Sequence, residues 1–268
     1  MIHLRKKAVF LLVVLLLGML SACNKERVNF ESMTAPEQLS YARGLFNKKK
    51  YLKAKMQFSL LVLNNPGSTI VEEAQFFLAE SSYHLKEYIL AIAEYEKLIR
   101  SLPESPYVDN ARYKIGMCYY KLAPKYHLDQ EYTNKAIMQF DMFIEEYPDS
   151  ELRVQVEARR QACHDRLAQK EYKTGELYRK MSYNRAAIIS YDAVIQEYSS
   201  SRYVDDSLYW KAECHRKIME YEDAIQAYQK LILRYPDSPL VEKAKEKMKD
   251  VQEQQKKQEA AQPGGSQS

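Results

Sequence analysis

Residues 224–238 read Ala224-Ile-Gln-Ala-Tyr228-Gln-Lys-Leu231-Ile-Leu-Arg-Tyr-Pro236-Asp-Ser238, and this stretch decides the fold because its spacing recurs. An alanine, an aromatic four residues on, a bulky apolar residue three further and a loop mark twelve after the alanine also occur in four earlier segments. The alanines are Ala54, Ala91, Ala136, Ala187 and Ala224; the aromatics are Phe58, Tyr95, Phe140, Tyr191 and Tyr228. Leu61, Leu98, Phe143, Val194 and Leu231 follow, and the marks are Pro66, Pro103, Pro148, Ser199 and Pro236. Steps of four and three put these side chains on one helical face. The marks are 37, 45, 51 and 37 residues apart, so five copies of one unit fill most of the chain.

Each unit holds a second small residue, Ala42, Ala79, Gly116, Gly175 or Ala212, upstream of its alanine. Small residues at two fixed places let the two helices of a hairpin cross closely. The pattern resembles the tetratricopeptide repeat, which has small residues at its eighth and twentieth positions, an aromatic at the twenty-fourth and proline at the thirty-second. The expected fold is therefore an all-α tetratricopeptide-repeat superhelical solenoid of about five hairpins. An 8-residue insertion lengthens the third hairpin around Ala123–Leu128, and Leu152–Ala168 reads as an extra helix before repeat four or a long extension of the next one. Leu240, Ala244, Met248 and Val251 form one stripe of a final capping helix, which a solenoid needs to cover its last apolar face. Thr34–Glu37 and Thr69–Glu72 fit capping boxes, and Pro36, Pro106 and Pro239 fit first turns.

Composition agrees. Only 7 glycines occur in 268 residues, and no G-x-G-x-x-G or G-x-x-x-x-G-K-[ST] can be written, which excludes those two phosphate-cradling folds. Turn-rich β-sandwiches and barrels lack the glycine they would need. With 22 tyrosines against 8 phenylalanines, the chain reads as helical with a tyrosine-rich interior or groove.

The N-terminus is an address. Arg5, Lys6 and Lys7 precede an apolar run from Ala8 to Leu20, too short to cross a bilayer, which is a secretory signal pattern. It ends in Leu20-Ser21-Ala22-Cys23, which resembles the lipobox of bacterial lipoproteins. The resemblance implies removal of residues 1–22 and lipidation of Cys23, with acyl chains that anchor the mature chain to a membrane. Asn24, where an aspartate would signal inner-membrane retention, points to the outer membrane. The organisation expected is a signal peptide (1–22), a lipidated spacer (23–35), a repeat domain with its cap (36–251) and a polar, disordered tail (252–268). The signal holds three cations and no acid, so the mature chain falls from +4 to +1 and gives no reason to expect a nucleic-acid partner.

Catalytic chemistry is sparse. Cys163-His164 and Cys214-His215 set a thiol beside an imidazole, but adjacent helical residues diverge by about 100°. No H-E-x-x-H, C-x-x-C or G-x-S-x-G occurs, so neither an enzyme, a metal site nor a cofactor is expected.

A binding surface is the remaining possibility. First-helix positions that line the inner face of such a solenoid hold Leu39, Phe76, Tyr113, Tyr172 and Tyr209. Further along they hold Phe46, Tyr83 with His84, and Tyr120 with Lys121 in repeats one to three, then Arg179-Lys180 and Arg216-Lys217 in repeats four and five. Aromatic rings in the first part suit an extended peptide, and paired cations in the second suit an acidic partner. The same tyrosines would equally serve packing between neighbouring first helices, and the same cations a solvated face.

The lipobox, a spacer of 12 residues from Asn24 to Ala35, five repeats with Tyr-Pro-Asp-Ser ends and the run Arg166-Leu-Ala-Gln-Lys-Glu-Tyr172 together resemble the BamD family, lipoproteins of the outer-membrane β-barrel assembly machinery. That resemblance implies a periplasm-facing scaffold anchored in the outer membrane. Its C-terminal half would bind the barrel insertase, beside other assembly lipoproteins, and its N-terminal half the C-terminal signal of unfolded barrel proteins. Another repeat-containing envelope lipoprotein, coordinating cell-wall synthesis or pilus-secretin assembly, would share the fold.

Overall fold

A computed structural model of the chain describes residues 32–261. Among the described residues eleven α-helices follow one another without a strand. They form five hairpins: α1 (Ala35–Asn47) with α2 (Tyr51–Asn64), α3 (Ile70–His84) with α4 (Tyr88–Ser101), α5 (Val108–Leu122) with α6 (Glu131–Glu146), α7 (Arg153–Lys180) with α8 (Asn184–Glu197), and α9 (Val204–Lys217) with α10 (Tyr221–Arg234). The cap is α11 (Val241–Ala261). Each helix packs mainly on its neighbours in the chain, the one-dimensional pattern of a solenoid.

The repeated small residues sit at the crossings. Ala42, Ala54, Ala79, Ala91, Ala136, Ala187, Ala212 and Ala224 are fully buried, as are the aromatics Phe58, Tyr95, Phe140, Tyr191 and Tyr228 that pack beside them. At two crossings even a methyl group is too large. A Cβ on Gly116 would lie 2.5 Å from the Phe140 ring, and one on Gly175 would lie 2.8 Å from that of Tyr191.

The loops that end the repeats share one device. The side-chain oxygens of Ser68, Ser105, Ser150, Ser201 and Ser238 each accept the backbone N–H two residues on. Each serine N–H also donates to the carbonyl three residues back, and its carbonyl accepts the N–H three residues ahead. Repeat four, where Ser199 stands in place of proline, is built the same way, so the final serine rather than the proline organises the turn. In repeats three and five the serine hydroxyl also donates to Asp109 (2.9 Å) or Asp205 (2.6 Å) at the start of the same repeat, closing the hairpin.

Three expectations are corrected, and one open alternative is decided. The capping box at Thr34–Glu37 forms, with Thr34 N–H donating to the Glu37 carboxylate at 2.8 Å. At Thr69 no side-chain cap exists, and Ser68 takes over. Pro36 lies in the first turn of α1, but Pro106 and Pro239 stand in the turns before α5 and α11. Of the two readings of Leu152–Ala168, the long extension holds: it is the first half of one continuous 28-residue helix, α7. The tail expected to be disordered from Gln252 continues as helix to Ala261, beyond the buried Val251; Cys23 and residues 262–268 lie outside the described residues.

The insertion is ordered by one side chain. Gln130 donates from its amide to the carbonyls of Lys125, Tyr126 and Leu128, while its own oxygen accepts from buried Thr133. The loop needs no regular structure because a single amide satisfies its converging carbonyls.

Candidate functional site

The inner-face residues divide into those that offer surface and those that do not. Phe76, Tyr113, Tyr172 and Tyr209 are buried, and Leu39 is half-buried against the first core cluster. Their rings join repeats together: Phe76 stacks on Tyr107 of the next repeat (centroids 4.8 Å apart), and Tyr172 on Tyr203 (5.3 Å). The packing alternative therefore accounts for this position, which leaves little of it for a ligand. Burial raises the Tyr172 phenol to about 12, against opposition from the Trp210 hydrogen bond and the Arg179 charge.

Phe46, Tyr83 and Tyr120 are half-buried, and His84 and Lys121 are exposed. Phe46 meets Tyr51, Phe77 and His84 edge-on at 5.1–5.4 Å, and His84 stacks flat on Tyr51 at 4.5 Å. Burial lowers the His84 pKa, favouring the neutral ring that stacks. Tyr83 carries the Lys114 ammonium 4.8 Å above its ring, and burial pushes its phenol up to about 12. Tyr120 lies apart from this cluster, under Arg166 (4.9 Å) and Arg159 (5.9 Å) of α7. The long helix thus closes over the third repeat's ring.

The C-terminal cations are mostly engaged. Arg179 lies over the Trp210 ring, 3.9 Å from its centroid, Lys180 pairs with Glu176 at 3.1 Å and Arg216 with Glu213 at 3.0 Å. Lys217 is exposed. Sequence reasoning missed Trp210 and Lys243, which lies over Tyr209 at 4.9 Å and Trp210 at 5.8 Å. Lys243 comes from the cap, outside the repeat positions that define an inner face.

The thiols are not primed for chemistry. Burial pushes Cys118 up to about 12 and Cys163 and Cys214 up to about 11, whereas a nucleophilic thiolate needs the opposite shift. His215, Glu220 and Asp223 place donor atoms within 4.8 Å of one another. Glu220, however, is already held by a hydrogen bond with His215 Nδ1 at 2.7 Å and an ion pair with Arg185 at 3.2 Å, a clamp on the α9–α10 turn. No helix among the described residues is long and apolar enough to cross a membrane.

Fold and surface thus define a tetratricopeptide-repeat protein with a tyrosine-rich interior, and a repeat model of that kind matches residues 206–238. The chain belongs to the family described as outer membrane lipoprotein, whose model matches residues 33–221. It is 25% identical over 227 residues to the outer membrane protein assembly factor BamD of Rickettsia prowazekii, covering 84% of this chain and 90% of that one. Solved repeat proteins resemble it more distantly. The TPR2AB domain of yeast Sti1, in a complex with pHSP90, is 16% identical at a TM-score of 0.42, covering 76% of this chain and 78% of that chain. A repeat protein from Thermus thermophilus is 16% identical at 0.35, covering 81% and 98%.

Proposed function

We propose that this chain is a lipid-anchored, non-enzymatic scaffold of the outer-membrane β-barrel assembly machinery. It hangs from the outer membrane through Cys23 and faces the periplasm. Its C-terminal half binds the barrel insertase and other assembly lipoproteins, and its N-terminal half receives extended segments of unfolded barrel proteins. The observation that carries this proposal is the family match across residues 33–221, together with a lipobox one short spacer ahead of it. The half-buried rings of Phe46 and Tyr83 and the exposed His84 support a peptide-receiving surface, because aromatic faces hold apolar side chains without demanding one sequence.

Depletion followed by measurement of outer-membrane barrel proteins tests the function: their levels fall, and unchanged levels overturn it. Alanine at Phe46, Tyr83 and Tyr120 weakens binding of a barrel-protein C-terminal peptide more than alanine at Arg179 and Arg216. Equal or reversed effects remove the division between the two halves.

A further inference from the structure

The outer helix of the first hairpin is apolar on both sides. Ala54, Phe58 and Leu61 of α2 are buried, while Leu52, Met56, Leu60 and Leu63 leave 60%, 58%, 41% and 74% of their surfaces exposed. At about 100° per residue these four fall within an arc of roughly 80°, nearly opposite the buried three, and span about 16 Å along the axis. Repeat packing does not require this stripe. The equivalent positions of α10, 170 residues on, are Glu222, Gln226, Lys230 and Leu233. Contiguous exposed apolar side chains mark a contact surface.

Charge singles out the same hairpin. Residues 35–64 hold six cations, Arg43, Lys48, Lys49, Lys50, Lys53 and Lys55, against the one acid Glu37, a net charge of +5. Residues 65–268 hold 29 cations and 33 acids. Arg43 and Lys55 are paired with Glu73 and Glu87 of the second hairpin. Lys48, Lys49, Lys50 and Lys53 are exposed, and among the described residues they form no ion pair. A cluster of unpaired lysines at one end of an apolar stripe suits an anionic lipid surface, with ammonium groups at the phosphates and alkyl side chains below them.

The position along the chain fits. Ala35, where α1 begins, is 12 residues from Cys23, a tether that spans at most about 40 Å. We propose that the outer face of α2 rests on the phospholipid surface of the membrane that holds the lipid anchor, giving the first hairpin a second attachment. The inference rests on the lipidation of Cys23 proposed above. Two attachments fix the orientation of a solenoid more closely than the lipid anchor by itself.

The test uses the lipidated full chain in vesicles of phosphatidylethanolamine and phosphatidylglycerol. An environment-sensitive fluorophore is attached at Met56→Cys or, as a control, at Gln226→Cys. The probe at 56 shifts to the blue and is quenched by lipid-borne quenchers, whereas the probe at 226 behaves as in water. Lys48→Glu, Lys49→Glu and Lys50→Glu together abolish the shift while the protein still floats with the vesicles. Leu52→Ser with Leu63→Ser weakens vesicle binding of the unlipidated Cys23→Ser chain by roughly tenfold or more, with helical circular dichroism unchanged. A probe at 56 that stays aqueous on a floating protein overturns this inference alone, and a chain that never floats overturns the lipidation on which it rests. Shielding of residue 56 that persists without vesicles assigns the face to a protein contact and overturns it too.

Discussion

The first and last hairpins share one template and differ on both sides of their second helices. In the first, Phe58 packs apolar against Phe77 at 5.7 Å, and the neighbouring first-helix residue, Arg43, reaches out to Glu73 at 2.9 Å. In the last, the hydroxyl of buried Tyr228 donates to Glu213, which Arg216 also holds. The repeat therefore fixes the size of this aromatic but leaves its polarity to a partner. Tyr95 is likewise matched by Glu80, whereas Phe140 is matched by Met117. Repeat four strains the rule. Glu176 is taken by Lys173 and Lys180, and the buried Tyr191 hydroxyl lacks a hydrogen bond of ordinary geometry, beside the Arg179 charge.

The largest effect that tests this contrast is Glu213→Ala. It strands the Tyr228 hydroxyl in the core and should cost about 2–3 kcal/mol in denaturant unfolding. Tyr228→Phe alone, which leaves Glu213 its bond to Arg216, should cost about 1 kcal/mol. Glu213→Met with Tyr228→Phe copies the Met117–Phe140 pair and should recover most of the loss. Strict additivity of Glu213→Met and Tyr228→Phe, each measured alone, would break the idea that tyrosine and glutamate form a unit. Hydrogen exchange should localise the damage to α9 and α10 and spare α1 and α2, because solenoid repeats communicate only through neighbours.

A smaller effect follows from acid. Burial raises the Glu213 carboxyl, but hydrogen bonds from Arg216 and Tyr228 and the charges of Arg216 and Lys247 together outweigh it, and the net pKa lies below the usual 4.5. A carboxyl depressed in the folded state stabilises fully above its unfolded value, and that contribution is lost as pH falls through the folded value. Below about pH 4.5 the last hairpin should therefore loosen, while the first, which has Arg43 at the equivalent place, lacks this carboxyl. Unfolding followed from pH 6 to 3 should give a shallower acid limb for Glu213→Gln than for the native chain; superimposable limbs would remove Glu213 from the explanation.

Much of this contrast was open to inspection in the sequence. The alanine–aromatic–apolar spacing located every hairpin, because close crossing of two helices admits few residue types at fixed places. The serine at the end of each loop was visible too, although its hydrogen bonds show that it, more than the proline, shapes the turn. The surface was less legible. Phe76, Tyr113, Tyr172 and Tyr209 look alike in sequence whether they face a ligand or the next repeat, and only three-dimensional neighbours such as Tyr107 and Tyr203 decide it. Leu52, Met56, Leu60 and Leu63 carried a clear helical period, but it was hidden beside the stronger period of the core.

The smallest effect concerns a feature the two hairpins share. Lys49 and Met219 occupy equivalent turns at φ 57° and 62°, a left-handed conformation that glycine adopts without cost. Lys49→Gly and Met219→Gly should each stabilise the chain by about 0.5–1 kcal/mol, read as a rise in thermal midpoint. The gains should be equal if the backbone angle alone sets the cost. The last turn, however, is clamped by Glu220, which bonds both His215 and Arg185, and residue 219 lies directly before that clamp. A distinctly smaller gain at 219 would mean that the clamp already holds the turn in place, and that the two hairpins differ even where their backbones coincide.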